Sequence, residues 1–367
     1  MQSELKDQRL TAEIQFLLEG HYDLGELIHL EEILGGYCNK SYGLTAARGG
    51  ASRKFLLRGY NPRIVESEIR FEHALIKHLR RNGFDLAAEV IACRDGGSHV
   101  KGPPSGGDHH IGFWALFAYL EGKDKYSWTQ TDLNPKEFAS CAGILAQLHH
   151  AGHGFVRPPG ADRAQPGIMA FMPTFKPTYD EFLLRAAGRR CDRLFNAHLN
   201  RIRAVIDQCC AAGKHFKGMP EMPIHCDYHP GNLKYRDNRG VGLFDFDWAK
   251  IDYRLFDLAL ALVYFCGVWR GPSAGSLDPD KLALFLKNYG DGCRHRAGIT
   301  PLTEQEKSGL PKMMAAANLY VLHWGLMDFY GGHVPDDDEY YVYIRHNIGL
   351  MEWIESHSAD ILQTAAG

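Results

Sequence analysis

The sequence predicts an α+β chain in two parts: a small β-rich part over residues 1–120 and a larger, mostly helical part over 121–367. Three observations predict this. Residues 28–60 carry three short apolar runs punctuated by paired glycines, the mark of a strand meander. The composition changes after Glu121-Gly122. Beyond that point apolar residues recur at the three-to-four spacing of amphipathic helices.

The elements follow in order. Residues 1–20 read as a helix with Leu10, Ile14, Phe16, Leu17 and Leu18 on its apolar positions. Strands are expected at 28–33, 41–47 and 52–60, turning at Gly35-Gly36 and at Arg48-Gly49-Gly50. Ile69, Leu75, Ile76 and Leu79 set a helix over 64–82, which Asn82-Gly83 stops. Two more strands are expected at 88–93 and 114–120, with the Gly/Pro-rich stretch 94–110 as a loop between them. A connector at 117–122 ends the first part. Helices are then expected at 134–151, 178–212, 278–292, 303–331 and 338–358, interrupted only by short strands around 224–246.

Bulk properties exclude several classes. Lys+Arg is 41 and Asp+Glu 44, a net charge of −3, so there is no basic surplus of the kind a nucleic-acid partner favours. The longest apolar run, 258–269, falls short of the roughly 20 residues a membrane span needs. The N-terminal MQSELKDQRLTAEIQ is charged and lacks the apolar core of an export signal. Nine scattered Cys with no C-x-x-C pair fit neither a disulfide framework nor a structural zinc site. A reducing cytoplasm suits such a chain. Nothing in the pattern specifies an oligomeric state.

The densest chemistry lies in 224–262, IHCDYHPGNLKYRDNRGVGLFDFDWAKIDYRLFDLALAL. His225, Asp227, Asn232, Asp245, Asp247 and Asp257 fall within two apolar, strand-like runs and the turn between them. Phosphoryl transfer asks for one carboxylate to receive the acceptor's proton, and for an Asn and an Asp to hold Mg²⁺ on nucleotide phosphates. Asp227, Asn232 and Asp245 supply that set in that order. Two other readings compete. In an extended segment His225, Asp227 and His229 share a face and could hold zinc for a metal-dependent hydrolase, although no further cluster at ligand spacing supports it. A polar loop capping a helix explains one or two of these residues but not the ordered series.

HCDYHPGN resembles the H-G-D-x-x-x-x-N catalytic loop of the aminoglycoside phosphotransferase/choline kinase-like family, which has a protein-kinase-like fold. LFDFDWAKIDYRLFDLALAL resembles that family's metal loop and the D-x-A segment after it. The resemblance implies Asp227 as catalytic base, Asn232 and Asp245 as Mg²⁺ ligands, His225 as a loop organiser, and Asp257 as a buried acceptor that pins the catalytic-loop backbone. Cys226 stands where the pattern has Gly.

The likeness extends further. LGGYCNKSYGL (34–44) is similar to the nucleotide-covering hairpin and implies Gly36, Asn39 and Ser41 near the phosphates. KFLLRGY (54–60) places Arg58 where the family's cation for the α/β-phosphates is more often Lys, with Lys54 on the same strand face. Glu72 matches the carboxylate that pairs with that cation. ALFAYLEGKD (115–124) resembles the hinge, implying adenine bonded to the Ala118 carbonyl and the Leu120 N–H, with ATP between the two lobes. Together these imply an ATP- and Mg²⁺-dependent kinase of a small-molecule hydroxyl: homoserine, an amino alcohol, a sugar or an antibiotic. Tyr320, His323, Trp324 and Asp328, three or four residues apart, are candidates for the acceptor site, with core packing as the plain alternative for about half of them. A kinase-like protein that binds nucleotide without turnover is the remaining alternative. The pattern does not decide the role of Asp247.

Overall fold

The computed structural model describes residues 2–4, 8–33, 39–102, 112–296, 298–331 and 337–367. The chain divides into two compact units. The smaller comprises Met1–Gly122 together with Phe155–Ala164 and Gly242–Asp247. The larger comprises Lys123–Gly154, Gln165–Val241 and Trp248–Gly367.

The smaller unit is built on one antiparallel sheet of six strands: β1 (Gln2–Glu4), β2 (Glu26–Ile33), β3 (Lys40–Arg48), β4 (Ala51–Gly59), β5 (Val100–Lys101) and β6 (Phe113–Ala118). Their spatial order is β1-β2-β3-β4-β6-β5. The period-two alternation of strand side chains separates its faces. Tyr42, Leu44, Ala46, Phe55, Leu57, Trp114 and Leu116 share a core with Ile14, Leu17 and Leu18 of helix α1 (Gln8–His21). Arg58 and Phe117, of opposite parity, meet helix α2 (Glu66–Arg81) through Glu72 and His73. Asn82 caps α2, and Gly83 follows with φ +81°, a left-handed conformation that glycine adopts without a Cβ clash.

Two expectations change here. The N-terminal 1–20 is not one helix. Gln2–Glu4 pairs with the edge of β2, Gln2 opposite Ile33, before α1 begins. Nor is 88–93 a strand. It makes one isolated bridge, Val90 to Phe117, and Ala87 just before it makes another to Leu243. The outer edge of β6 is divided: β5 takes Phe113 and Trp114, while Ile91 N–H and Glu89 C=O bond irregularly to Leu116 and Ala118. The expected loop 94–110 therefore contains β5. The Gly35-Gly36 turn, and with it Gly36, lies outside the described residues.

The larger unit is helical apart from short strand pairs. Its centre is the helix Arg254–Cys266, buried at every position; it is apolar except for Arg254, which pairs with Glu306, and Asp257. Around it pack Pro135–Gly152, Pro279–Arg294 and Glu304–Tyr330. The run expected as one helix at 178–212 is two, Phe175–Leu184 and Arg190–Phe216. Gly188, at φ +75°, lies in the break. The Asp192 carboxylate accepts from the Ala187 and Arg189 N–H groups there and starts the second helix. The run expected at 338–358 ends at Ser356, and a further helix follows at Ser358–Ala366. Strand Glu221–Ile224 pairs with Lys250–Tyr253. Among the described residues, no helix is long and apolar enough to cross a membrane.

Candidate active site

In the larger unit the segment after strand Glu221–Ile224 turns sharply at Cys226, φ +64°. That left-handed conformation is costly for a residue with a Cβ, which gives a physical reason for glycine in the family's motif at this place. The turn is held from below. Asp257, fully buried in the first turn of the central helix, accepts from the His225 N–H at 2.9 Å and the Cys226 N–H at 2.8 Å. His149 Nε2 lies 3.1 Å from the same carboxylate, and its Nδ1 is 2.8 Å from the Tyr289 hydroxyl. Burial alone would raise the Asp257 pKa. The His149 hydrogen bond and charge, with the backbone donors, outweigh it and hold the carboxyl below its ordinary value.

Asp227 follows, half-buried. Asn232 Nδ2 donates to both its carbonyl and its Oδ2, each at 2.9 Å. His229 Nδ1 accepts from the Gly231 N–H at 3.0 Å. In the neutral ring the proton is then on Nε2, which lies 3.5 Å from Asp227 Oδ2. Against the upward effect of burial, His229, His225 and Asn232 hold the Asp227 carboxyl below the usual range. It is ionised at neutral pH and accessible enough to accept a proton. Tyr264 lies against the same carboxylate, and burial with that charge pushes its phenol up. Nothing in the sequence pattern singled out Tyr264. His229 had one signal, its place two residues from Asp227 in an extended segment.

The smaller unit assembles a second cluster around Arg58, which is buried. Its Nη1 is 3.3 Å from Glu72 Oε1 and 2.5 Å from Asp247 Oδ1, and its Nη2 is 3.6 Å from Asp245 Oδ1. Tyr60 donates its hydroxyl to Glu72 Oε2 at 2.9 Å. One guanidinium thus faces three carboxylates. Burial raises both Glu72 and Asp247, with Asp247 repelling the first and Asp245 the second, while Arg58 opposes the rise. Lys54 is exposed, with its Nζ 5.6 Å from the centre of the Tyr119 ring, so Arg58 is the cation that pairs with Glu72. Ser41 stands opposite Arg58 in the β3–β4 register. Asn39 accepts from the Asn61 N–H at 2.9 Å and donates to Asp247. Asp245 has φ +67° and the most exposed carboxylate of the three, 38%. Ala118 ends β6 and donates its N–H to Glu89, and Leu120 follows half-buried.

The four acceptor candidates divide along the helix Glu304–Tyr330. Tyr320 and His323 are buried. The Tyr320 hydroxyl lies 3.3 Å from Gln165 Oε1 and 3.5 Å from Cys226 Sγ. His323 stacks on Phe175, centroids 4.0 Å apart, and burial lowers its pKa to about 4. Trp324 is half-buried beside Trp248, and Asp328 is exposed. Only the last two keep appreciable surface for a ligand.

Among the described residues, no three His, Cys, Asp or Glu side chains are placed to hold a metal ion together. A hydrolase built on His225, Asp227 and His229 therefore has no support: His225 is fully buried, and His229 is engaged with Asp227 and Gly231. The oxygen donors do fit Mg²⁺, a hard cation that takes carboxylate and carbonyl ligands. Asn232 commits its nitrogen to Asp227, so its amide carbonyl is the end available to a cation.

Residues 29–292 match the model of the phosphotransferase enzyme family. A homoserine kinase of Ralstonia nicotianae is 26% identical over 90% of this chain and 88% of its own. A spectinomycin phosphotransferase solved with ADP and spectinomycin shares the fold at a TM-score of 0.63, with 13% identity, 96% of this chain and 99% of that one covered. A choline/ethanolamine kinase family protein from Mesorhizobium loti does so at 0.61, with 16% identity and 97% and 98% covered.

Proposed function

Because the chain belongs to the phosphotransferase enzyme family, we propose that it transfers the γ-phosphate of Mg²⁺-bound ATP to the hydroxyl of a small acceptor, with Asp227 as the base. It is a small-molecule kinase: an enzyme whose acceptor is an alcohol group. The observation that carries the residue assignment is the Asp227 carboxylate, ionised and half-exposed, bonded by Asn232 on a turn anchored by Asp257.

In such a transfer the acceptor oxygen bonds to the γ-phosphorus, the bond to the β-phosphate oxygen breaks, and ADP leaves. Asp227 orients the acceptor hydroxyl and takes its proton as the new bond forms. Arg58, held by Glu72, serves the phosphates. Ser41, opposite Arg58 in the strand register, serves them too, and Ala118 and Leu120 supply backbone groups for adenine. Bound Mg²⁺ offsets charge on the phosphates; Asn232 and Asp245 are its proposed ligands. Asp245→Ala is expected to raise the Mg²⁺ concentration for half-maximal turnover more than Asn232→Ala does, because a full charge contributes more than a carbonyl dipole. Mg²⁺ titrations of both variants that superimpose on wild type would place the metal elsewhere.

Homoserine, named for the relative above, is the first acceptor to test. An ADP-release screen over homoserine, ethanolamine, choline, sugars and aminoglycosides is expected to give turnover with a small, neutral or singly charged alcohol. No ADP above the acceptor-free rate with any of them would overturn the reading. For the acceptor site, Trp324→Ala and Asp328→Asn are expected to raise acceptor KM while leaving the thermal midpoint near wild type. A lowered midpoint with an unchanged KM would leave these two as packing residues.

A further inference from the structure

We infer that Asp247 is a positioning residue, a catch that ties the start of β3 to the cation of β4 and thereby sets how Arg58 meets nucleotide phosphates. The inference rests on the reading above that Arg58 serves the phosphates.

The two Asp247 oxygens have separate tasks. Oδ1 accepts from Arg58 Nη1 at 2.5 Å, and Oδ2 accepts from Asn39 Nδ2. Asn39 is committed at both ends, since its Oδ1 accepts from the Asn61 N–H at 2.9 Å. Its side chain is therefore a link within the smaller unit, with one amide hydrogen used on Asp247 and the second still available to a phosphate oxygen. Asn39 immediately precedes β3, and Asn61 lies two residues past β4. Through Asn39, one carboxylate joins the entry of one strand to the exit of the next.

Arg58 is fixed by the same means. Glu72 and Asp247 both hold Nη1. That leaves Nη2, which faces Asp245, and Nε–H, which is buried with no hydrogen-bond partner. A buried donor without an acceptor calls for one, and a phosphate oxygen is the acceptor this chemistry supplies. A guanidinium presents its donors in a rigid fork, so pinning one nitrogen from two sides sets the direction of the others. Asp247 differs in this from Asp245. Its carboxylate is only 9% exposed and is engaged with two internal donors, whereas Asp245 keeps surface for a cation.

The test compares Asp247→Asn, Asn39→Ala, the double variant and Arg58→Gln, reading KM for ATP, KM for the acceptor and the Mg²⁺ half-saturation point. Asp247→Asn is expected to raise KM for ATP by about tenfold, the scale of one charge-assisted hydrogen bond. Asn39→Ala should raise it in the same sense. The double variant should be no worse than Asp247→Asn alone, because both changes break one link. Acceptor KM and the Mg²⁺ midpoint should stay at wild-type values, which a general loss of structure would not leave in place. A KM for ATP within twofold of wild type in Asp247→Asn, additive effects in the double variant, or a shifted Mg²⁺ midpoint would each overturn the catch. Arg58→Gln separates the two levels. If it raises KM for ATP while Asp247→Asn does not, only the catch fails. If it leaves KM for ATP unchanged, the phosphate role of Arg58 fails, and the catch with it.

Discussion

Asp227→Asn is expected to lower kcat by about 10²–10⁴-fold, the usual contribution of a placed general base, with KM for ATP and the thermal midpoint close to wild type. The substitution keeps an oxygen that can accept from Asn232 Nδ2 and removes the charge proposed to take the acceptor's proton. His229 loses its anionic neighbour, but its bond from Gly231 is unaffected. Single-turnover ADP formation is the decisive measurement. A rate within threefold of wild type would remove Asp227 from the mechanism.

The second large effect is on stability. Asp257→Asn is expected to destabilise the larger unit by about 3–5 kcal/mol, the range for breaking a buried charged network, and to be read as a lower urea midpoint. An amide can accept at only one of its two polar ends. The other would turn an NH₂ group either toward the Cys226 N–H or toward the His225 N–H and His149 together. The pH dependence follows from the same bonds. The folded-state pKa of Asp257 lies below its ordinary value. Its contribution is therefore full above the ordinary carboxylate range and is lost as pH falls through the folded-state value. The urea midpoint of wild type should fall with acidification more steeply than that of Asp257→Asn. Parallel profiles would show that Asp257 carries no such linkage.

Much of the turn proposed as catalytic was legible in the sequence. Asp227 and Asn232 fall five residues apart on one short segment, so their bond depends on local geometry alone. The role of Asp257 as a buried acceptor came from the family resemblance alone, and its hydrogen bonds to the His225 and Cys226 N–H groups agree with it. Strands β2 to β4 were legible because paired glycines punctuate the sequence there, of which Gly49-Gly50 forms the turn between β3 and β4. The segment 88–93 was misread because its apolar residues bury without a continuous ladder, and periodicity cannot distinguish the two. Asp247 was undecidable for another reason. Its partners, Asn39 and Arg58, are remote in sequence, and only tertiary packing brings the three together.

The smaller unit is written first in the chain but cannot be completed first. Three stretches compose it, and the last, Gly242–Asp247, supplies Leu243 to the backbone of Leu86 and Ala87 and two of the three carboxylates around Arg58. Chains leave the ribosome N-terminus first. Arg58 therefore waits through nearly two hundred residues of synthesis, with Glu72 as its early counter-ion, before the charges that complete its setting emerge. A nascent chain halted before residue 242 would lack both Asp245 and Asp247, leaving the cation of β4 undercompensated at the stage when its own unit is otherwise nearly all translated.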